Sequence, residues 1–392
     1  MSRSQKSLNS TRVVRLFNVN SLLRTLYREG GCSRTKLAKV THMSPATVSR
    51  IISELVDQQI IIEKGTGKSS AGRKPTILQL NYEKIYIAGA CISRDQVGLA
   101  IADLKGKILS KRYFQPYSLE PESLIKELVH ELNLLVQETS INQEYILGLG
   151  LAISGIVDSE QKTLVRSVNL GWREVKIGEI LEKELELPVL VENDANAAAL
   201  AELWFGGATE VRNFLYIKTD TGVGSGIISE RNLLTGPRGI AGEIGHLCFI
   251  PDGRKCRCGL HGCLETYLYA PDITRRYEEK TGKHLESIFH LKEKVQEGDS
   301  VANKIVDEAA EALSIAVLFA AGLLDLDLVV IGGAWGALGD DFLNLIREKT
   351  MDRWERSGIG RIVPVTGSQL GESSDLLGAV GLVIHRWLAS PI

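Results

Sequence analysis

Nowhere in the 392 residues is there a run approaching the roughly 20 apolar residues that a bilayer span needs. The amino end, MSRSQKSLNSTRVVRLF, also lacks an apolar core followed by a small-residue cleavage site. Together these absences predict a cytoplasmic protein without a membrane partner. Cysteine is scarce as well: there are six, and three of them fall within CRCGLHGCLE, from Cys256 to Glu265. A structural disulfide is not expected in a reducing compartment, so the cluster suggests metal or redox chemistry. With 44% apolar and 24% charged residues, the composition is that of a soluble globular protein rather than a disordered or fibrous one. The chain is too long for one ordinary core, and at about 150 residues per domain it predicts two or three units.

Net charge is nearly absent too, at −2, but its distribution is uneven. Residues 1–80 carry 14 Lys and Arg against 4 Asp and Glu, a local +10, which leaves −12 on residues 81–392. A basic head on an acidic body is the footprint of a nucleic-acid-binding module attached to something else; the alternative is a solvated basic tail. The head also carries helical periodicity. Val19, Leu22, Leu23 and Leu26 recur at helical spacing and Gly30-Gly31 ends the pattern. Ser33 is a candidate N-cap for RTKLAKVT, and Ser44, followed by Pro45, for a third helix PATVSRIISELVDQQ. Val48, Ile51, Ile52 and Leu55 give that helix a buried stripe, which leaves Ser44, Ala46, Thr47, Ser49 and Arg50 toward its outer face and amino end. In a helix-turn-helix these positions enter the major groove of operator DNA. IIIEKGTGKSSAGRKPTILQL then reads as strand, Gly- and Ser-rich tip, strand: a wing whose Arg73 and Lys74 are placed to meet phosphates or a minor groove. A plain three-helix interaction domain remains the alternative.

From Ile85 onward, buried strands alternate with helices. IYIAGACIS, QVGLAIADL, ILGLGLAIS and LPVLVEN are β-rich, while SLIKELVHELNLLVQE and VKIGEILEKELE are amphipathic helices. NFLYIKTDTGVGSGIIS restarts the hairpin theme, and LDLVVIGGAW is a further buried strand with a Gly-rich exit. Two α/β lobes facing a cleft follow from this pattern. CxCx4C offers the thiols of Cys256, Cys258 and Cys263, and His246 lies ten residues before the first, a Cys3His set suited to tetrahedral zinc. Cys248 and His261 compete as ligands, and three ordinary buried cysteines are the plainer alternative. Glu243 and Glu265 flank the cluster, so a clip there would fix two carboxylates relative to each other.

VENDANAAALAE, TGVGSGII, GIAGEIGHLCF and CRCGLHGCLE, in this order, resemble the motifs of the ROK family (repressor, open reading frame, kinase), over roughly residues 83–392. The head makes the chain similar to the family's repressor branch, above all the xylose-repressor-like proteins. The resemblance implies an α/β fold: an N-terminal winged helix-turn-helix (1–82) and a two-lobed, actin-like ATPase, sugar kinase-like body. The first lobe would be 83–205, with 375–392 returning to it, and the second 206–374 with the zinc site. The resemblance selects His246 as the fourth metal ligand and assigns sugar contacts to Asn193, Asp194, Glu243, His246 and Glu265. Support of the metal ligands by the two glutamates, and helix N-capping for Asn193 and Asp194, are the alternatives.

In the family's kinases Asp194 would be the catalytic base. The first phosphate loop argues against catalysis here. Where kinases carry DxGxT with a Gly pair, Cys91 stands at the Asp, Ser93-Arg94 at the glycines and Asp95 at the Thr. A thiol holds Mg2+ poorly, and bulky side chains block the approach of backbone to phosphate. The expectation is a sugar-responsive repressor and not an enzyme. It would act as a homodimer or higher homo-oligomer on operator DNA, with zinc as cofactor and glucose, xylose or a similar monosaccharide as effector. The rivals are an active sugar kinase, a repressor controlled by a protein partner, and a redox sensor built on the thiols.

Overall fold

The structure, a computed structural model, describes residues 3–66, 75–220, 222–357 and 362–389. Its head contains helices Arg3–Glu29, Arg34–Thr41 and Pro45–Asp57, with strand Thr76–Leu80 paired antiparallel to both Cys32–Ser33 and Ile61–Thr66. The Ser33 hydroxyl accepts from the Lys36 N–H at 3.2 Å and the Ser44 hydroxyl from the Thr47 N–H at 3.1 Å. Each such cap contributes about 1 kcal/mol by satisfying a donor the helix cannot. Between the two helices His42 takes a left-handed turn, φ 55°. Val48, Ile51, Ile52 and Leu55 are buried as the stripe predicts. Val40 of the preceding helix, by contrast, faces solvent. The first helix begins at Arg3, far before Val19; its leading turns are polar and carry no apolar stripe, so the periodicity marks only its later part. The predicted wing tip, including Arg73 and Lys74, lies outside the described residues.

Two five-stranded sheets share one plan. In the first the order is Val189–Asn193, Ile146–Ile153, Tyr86–Ile92, Val97–Asp103, Ile108–Phe114; in the second it is Val365–Gly367, Leu328–Gly332, Phe214–Thr219, Val223–Ser229, Asn232–Leu233. The first three strands of each are parallel, and the remaining pairs are antiparallel hairpins. The central strands are buried on both faces, which is why they read as unbroken apolar runs rather than alternating ones. A three-stranded meander, Ile156–Asp158, Thr163–Ser167 and Trp172–Val175, has no counterpart in the sequence reading.

Helices Asp194–Phe205 and Ser374–Ala389 pack side by side between the sheets. Their approach depends on glycine. A Cβ at Gly150 would stand 1.9 Å from the Ala379 carbonyl oxygen, and one at Gly378 2.7 Å from the Ala197 carbonyl carbon. Any side chain at either position would part helix from sheet or helix from helix. One apolar cluster joins Leu22, Leu26 and Leu55 of the head to Ile87, Leu104, Val383 and Leu388 of the body. The head is thus packed onto the lobe, not tethered beside it. Among the described residues no helix is long and apolar enough to cross a membrane.

Candidate functional site

The parallel strands of both sheets end at a cleft of about 430 Å³. Asn193 closes strand Val189–Asn193 and Asp194 opens the helix after it, so both reach the cleft from the first lobe. The 3-10 turn Ile244–His246 lies along strand Val223–Ser229, with the Ser225 N–H donating to the Gly242 carbonyl at 3.0 Å. That contact brings Glu243 and His246 to the opposite wall. Glu265 stands at the start of helix Glu265–Leu268, and one carboxylate oxygen accepts from the Val223 N–H at 3.2 Å. All five residues predicted to contact sugar line this one cavity.

Asn193 also carries the helix cap. Its oxygen accepts from the N–H groups of Ala195 and Asn196 at 2.9 and 3.2 Å, while its amide donates to the Gly155 carbonyl at 2.9 Å. Most of its side-chain capacity is therefore committed to holding the strand–helix corner. Burial raises Glu243 above the ordinary carboxylate range, with His246 opposing and Asp194 and Glu265 adding to the rise.

Behind Glu243 and Glu265, one donor atom from each of His246, Cys256, Cys258 and Cys263 lies within 4.8 Å of the others. Cys248 and His261 are not in this group. The Cys256 sulfur is 3.9 Å from His246 Nδ1, and Cys258 and Cys263 are 3.7 Å apart through their sulfurs. His246 Nε2 points the other way, 3.8 Å from Glu243. The turn that gathers the thiols runs through Gly259 and Gly262, at φ 99° and 72°; a Cβ on Gly262 would strike the Ile250 carbonyl oxygen at 1.7 Å. Burial, and then the neighbouring Cys258 and Cys256 thiols, push Cys263 up to about 12. Three thiols in such contact ionise together only beside a cation. The donor set thus fits a thiophilic divalent ion such as zinc.

The sequence reading missed two groups at the site. Arg257, between the cysteines, donates to Glu265 at 3.2 Å and to Asn169 of the first lobe at 3.4 Å, and stacks over the Tyr269 ring. Its place inside the CxC loop was the available signal. Lys218 is buried at the end of strand Phe214–Thr219, 2.5 Å from Asp375, 3.2 Å from Asp194 and 4.0 Å from Asp220. Burial works against its charge, yet Asp194, Asp375 and Asp220 overcome it and hold its pKa well above the usual lysine value.

Nearby, Gly333 (φ 76°) begins a short helical turn whose Ala334 N–H donates to Asp220 at 3.0 Å and whose Trp335 N–H donates to Thr219 at 3.2 Å. Side chains of the chain itself thus accept from both amides. Cys91 faces the same region, its thiol pushed up to about 12 by burial first and Asp375 next. Ser93 closes a tight turn with Gln96, and Arg94 and Asp95 are exposed. Thr221 lies outside the described residues.

At the head, Ala46, Ser49 and Arg50 are exposed and Thr47 half-buried. The Ser44 and Thr47 hydroxyls hydrogen-bond at 2.9 Å within the cap, and Arg50 rests 3.7 Å from Glu54.

A family model described as ROK family matches residues 88–386, and one described as MarR family matches residues 20–63. A xylose repressor of Caldicellulosiruptor bescii is 29% identical over 96% of this chain and 98% of its own length. A glucokinase of Streptomyces coelicolor is 31% identical over 75% of this chain and 96% of its own. The crystal structure of a ROK family transcriptional regulator shares the fold, with a TM-score of 0.83 over 96% of both chains at 24% identity.

Proposed function

Because this chain belongs to the ROK family, we propose that it is a sugar-responsive transcriptional repressor that binds a monosaccharide without phosphorylating it. The head binds operator DNA through the exposed face of helix Pro45–Asp57, with Ala46 and Ser49 toward the bases, and Arg50 and the Ser44 and Thr47 end toward phosphate. Arg73 and Lys74 add contacts to the DNA backbone. The MarR match over residues 20–63 and the charge of the amino end support this part. In the cleft, Asp194, Glu243 and Glu265 accept hydrogen bonds from sugar hydroxyls, Asn193 fixes the corner from which Asp194 projects, and His246 meets the sugar through Nε2.

His246, Cys256, Cys258 and Cys263 hold zinc. The ion supplies a fixed positive charge and a rigid anchor. Glu243 and Glu265 then keep the separation that adjacent hydroxyls need.

The observation that supports the absence of phosphotransfer is the phosphate-loop end: Cys91, Ser93-Arg94 and Asp95 replace the family's DxGxT residues, and the side chains of Asp220 and Thr219 accept from the Ala334 and Trp335 N–H groups. Operator half-sites call for a homodimer, in which sugar closes the lobes, rotates the heads and releases DNA. Thermal-shift screening with glucose, xylose and N-acetylglucosamine, followed by operator titration with the stabilising sugar, tests the reading. A hit that weakens operator binding is expected; operator binding that no monosaccharide alters would overturn it. Asp194 and the glucokinase relative favour one second reading, a sugar kinase, which ADP release from ATP and sugar would establish.

A further inference from the structure

Lys218 sits in a strand that is otherwise buried and uncharged, within reach of three carboxylates drawn from three separate stretches of chain. Two of those carboxylates begin helices. Asp194 is the first residue of Asp194–Phe205 and Asp375 the second of Ser374–Ala389. At 1.5 Å per residue these helices run about 18 Å and about 24 Å away from the cleft.

Both end beneath the head. Trp204 meets the Tyr27 ring edge-on, with centroids 5.4 Å apart and planes at 89°. The Leu388 carbonyl accepts from Arg24 at 2.7 Å, and the Ala389 carbonyl accepts from Asn20. Asn20, Arg24 and Tyr27 all belong to helix Arg3–Glu29, whose Leu22, Leu23 and Leu26 are packed in one core with Val48, Ile51 and Ile52 of helix Pro45–Asp57. Between the two ends the helices touch through Gly378 and Gly381, whose added Cβ atoms would lie 2.7 and 3.3 Å from backbone atoms of the partner helix. Surfaces packed this closely shift as a unit or switch between discrete arrangements.

We propose that Lys218 couples the cleft to the head: its ammonium ties Asp194 to Asp375, and a sugar that engages Asp194 loosens that tie and moves the helix pair on which the head rests. The proposal rests on the reading above that a monosaccharide occupies the cleft. Asp194 lines the cavity, whereas Asp375 does not. A sugar hydroxyl donated to Asp194 competes directly with the 3.2 Å contact to Lys218, and the ammonium then settles on Asp375 and Asp220. This supplies the differential interaction that any ligand-driven shift requires. Lys218 is a positioning residue in this scheme; it acts on the head through Asp375.

The test uses the full-length, zinc-loaded chain and whichever monosaccharide stabilises it. Operator affinity is measured by fluorescence anisotropy with and without saturating sugar, and the ratio gives the coupling factor, for which about 5- to 150-fold is the ordinary range. Asp375→Asn is expected to keep sugar affinity within about threefold of wild type while its coupling factor falls below about 2. Asp375→Glu, which retains the ion pair, keeps the wild-type factor. Lys218→Met loses the coupling as well and also weakens sugar binding; combining it with Asp375→Asn reduces the charge left unpaired, so that a folded protein can be measured. Wild-type coupling in Asp375→Asn and in the double variant would overturn the proposal while leaving the repressor reading intact. A wild-type protein that binds sugar with no change in operator affinity would overturn both.

Discussion

At one end of the cleft three thiols and an imidazole form a donor set for a cation from solution; at the other, three carboxylates surround an ammonium that the chain itself supplies. Both arrangements gather like groups that repel when ionised, and both brace residues that face the cavity. They differ in what removes them. A chelator or a proton can dismantle the first, because its cation exchanges with solution. The second is covalently part of strand Phe214–Thr219 and has no off-rate. On the proposed reading, one wall of the pocket is therefore conditional on metal, while the cation at the opposite end comes with the chain itself.

The most drastic way to break this contrast is Cys256→Ser. Loss of one thiol should lower metal affinity by about 100-fold or more and slacken the wall that carries Glu243 and Glu265. Competition with a chromophoric chelator reads the first effect, and the lost thermal shift with sugar the second. Asp194→Asn strikes where the fixed end meets the sugar. Replacing a charged acceptor should weaken sugar binding by about 10- to 150-fold, read by calorimetry, with metal content unchanged.

Acidification separates the two ends without mutation. The folded pKa of Lys218 is raised, so its stabilisation is fully present below the unfolded lysine value and disappears only as pH climbs through the higher folded one. Lowering the pH from about 7.5 to about 5.5 should therefore leave the Lys218 charge in place while protons displace the metal from the thiols. Metal analysis after dialysis across this range checks it. The smallest effect is expected far from the cleft. Arg50→Ala should weaken operator binding several-fold and reduce the salt slope by about 1, provided Arg50 exchanges its contact with Glu54 for a DNA phosphate.

These two ends were unequally legible in the sequence. Cys256, Cys258 and Cys263 are close along the chain, and the glycines between them announce a tight turn, so the cluster could be read locally. Ser33, Ser44 and Pro45 are likewise local signals, and the structure caps helices with both serines. Lys218 was not legible. A lysine in FLYIKT looks like the end of any strand, and its nearest partner, Asp375, lies 157 residues away. Its meaning appears only when the second sheet is set against the last helix.

The same distinction explains the fold. Long apolar strands such as Ile146–Ile153 and Phe214–Thr219 announced themselves, and their pairing followed one plan in both lobes. The meander from Ile156 to Val175 consists of strands of three to five residues that carry Asp158, Arg166, Arg173 and Glu174, too short and too polar for a period-two pattern. The early turns of helix Arg3–Glu29 were hidden for the opposite reason, because polar residues on every face leave no stripe to detect. Asn193 falls between these cases. Sequence allowed both cap and ligand, and its hydrogen bonds show that the cap claims most of its side chain.

The most direct test of the whole account is calorimetric titration of the stabilising monosaccharide into the protein before and after its metal is stripped by a chelator. The account predicts that affinity falls by about tenfold or more on stripping and returns with one equivalent of zinc. Equal affinity for the sugar in the stripped and zinc-loaded protein would contradict it.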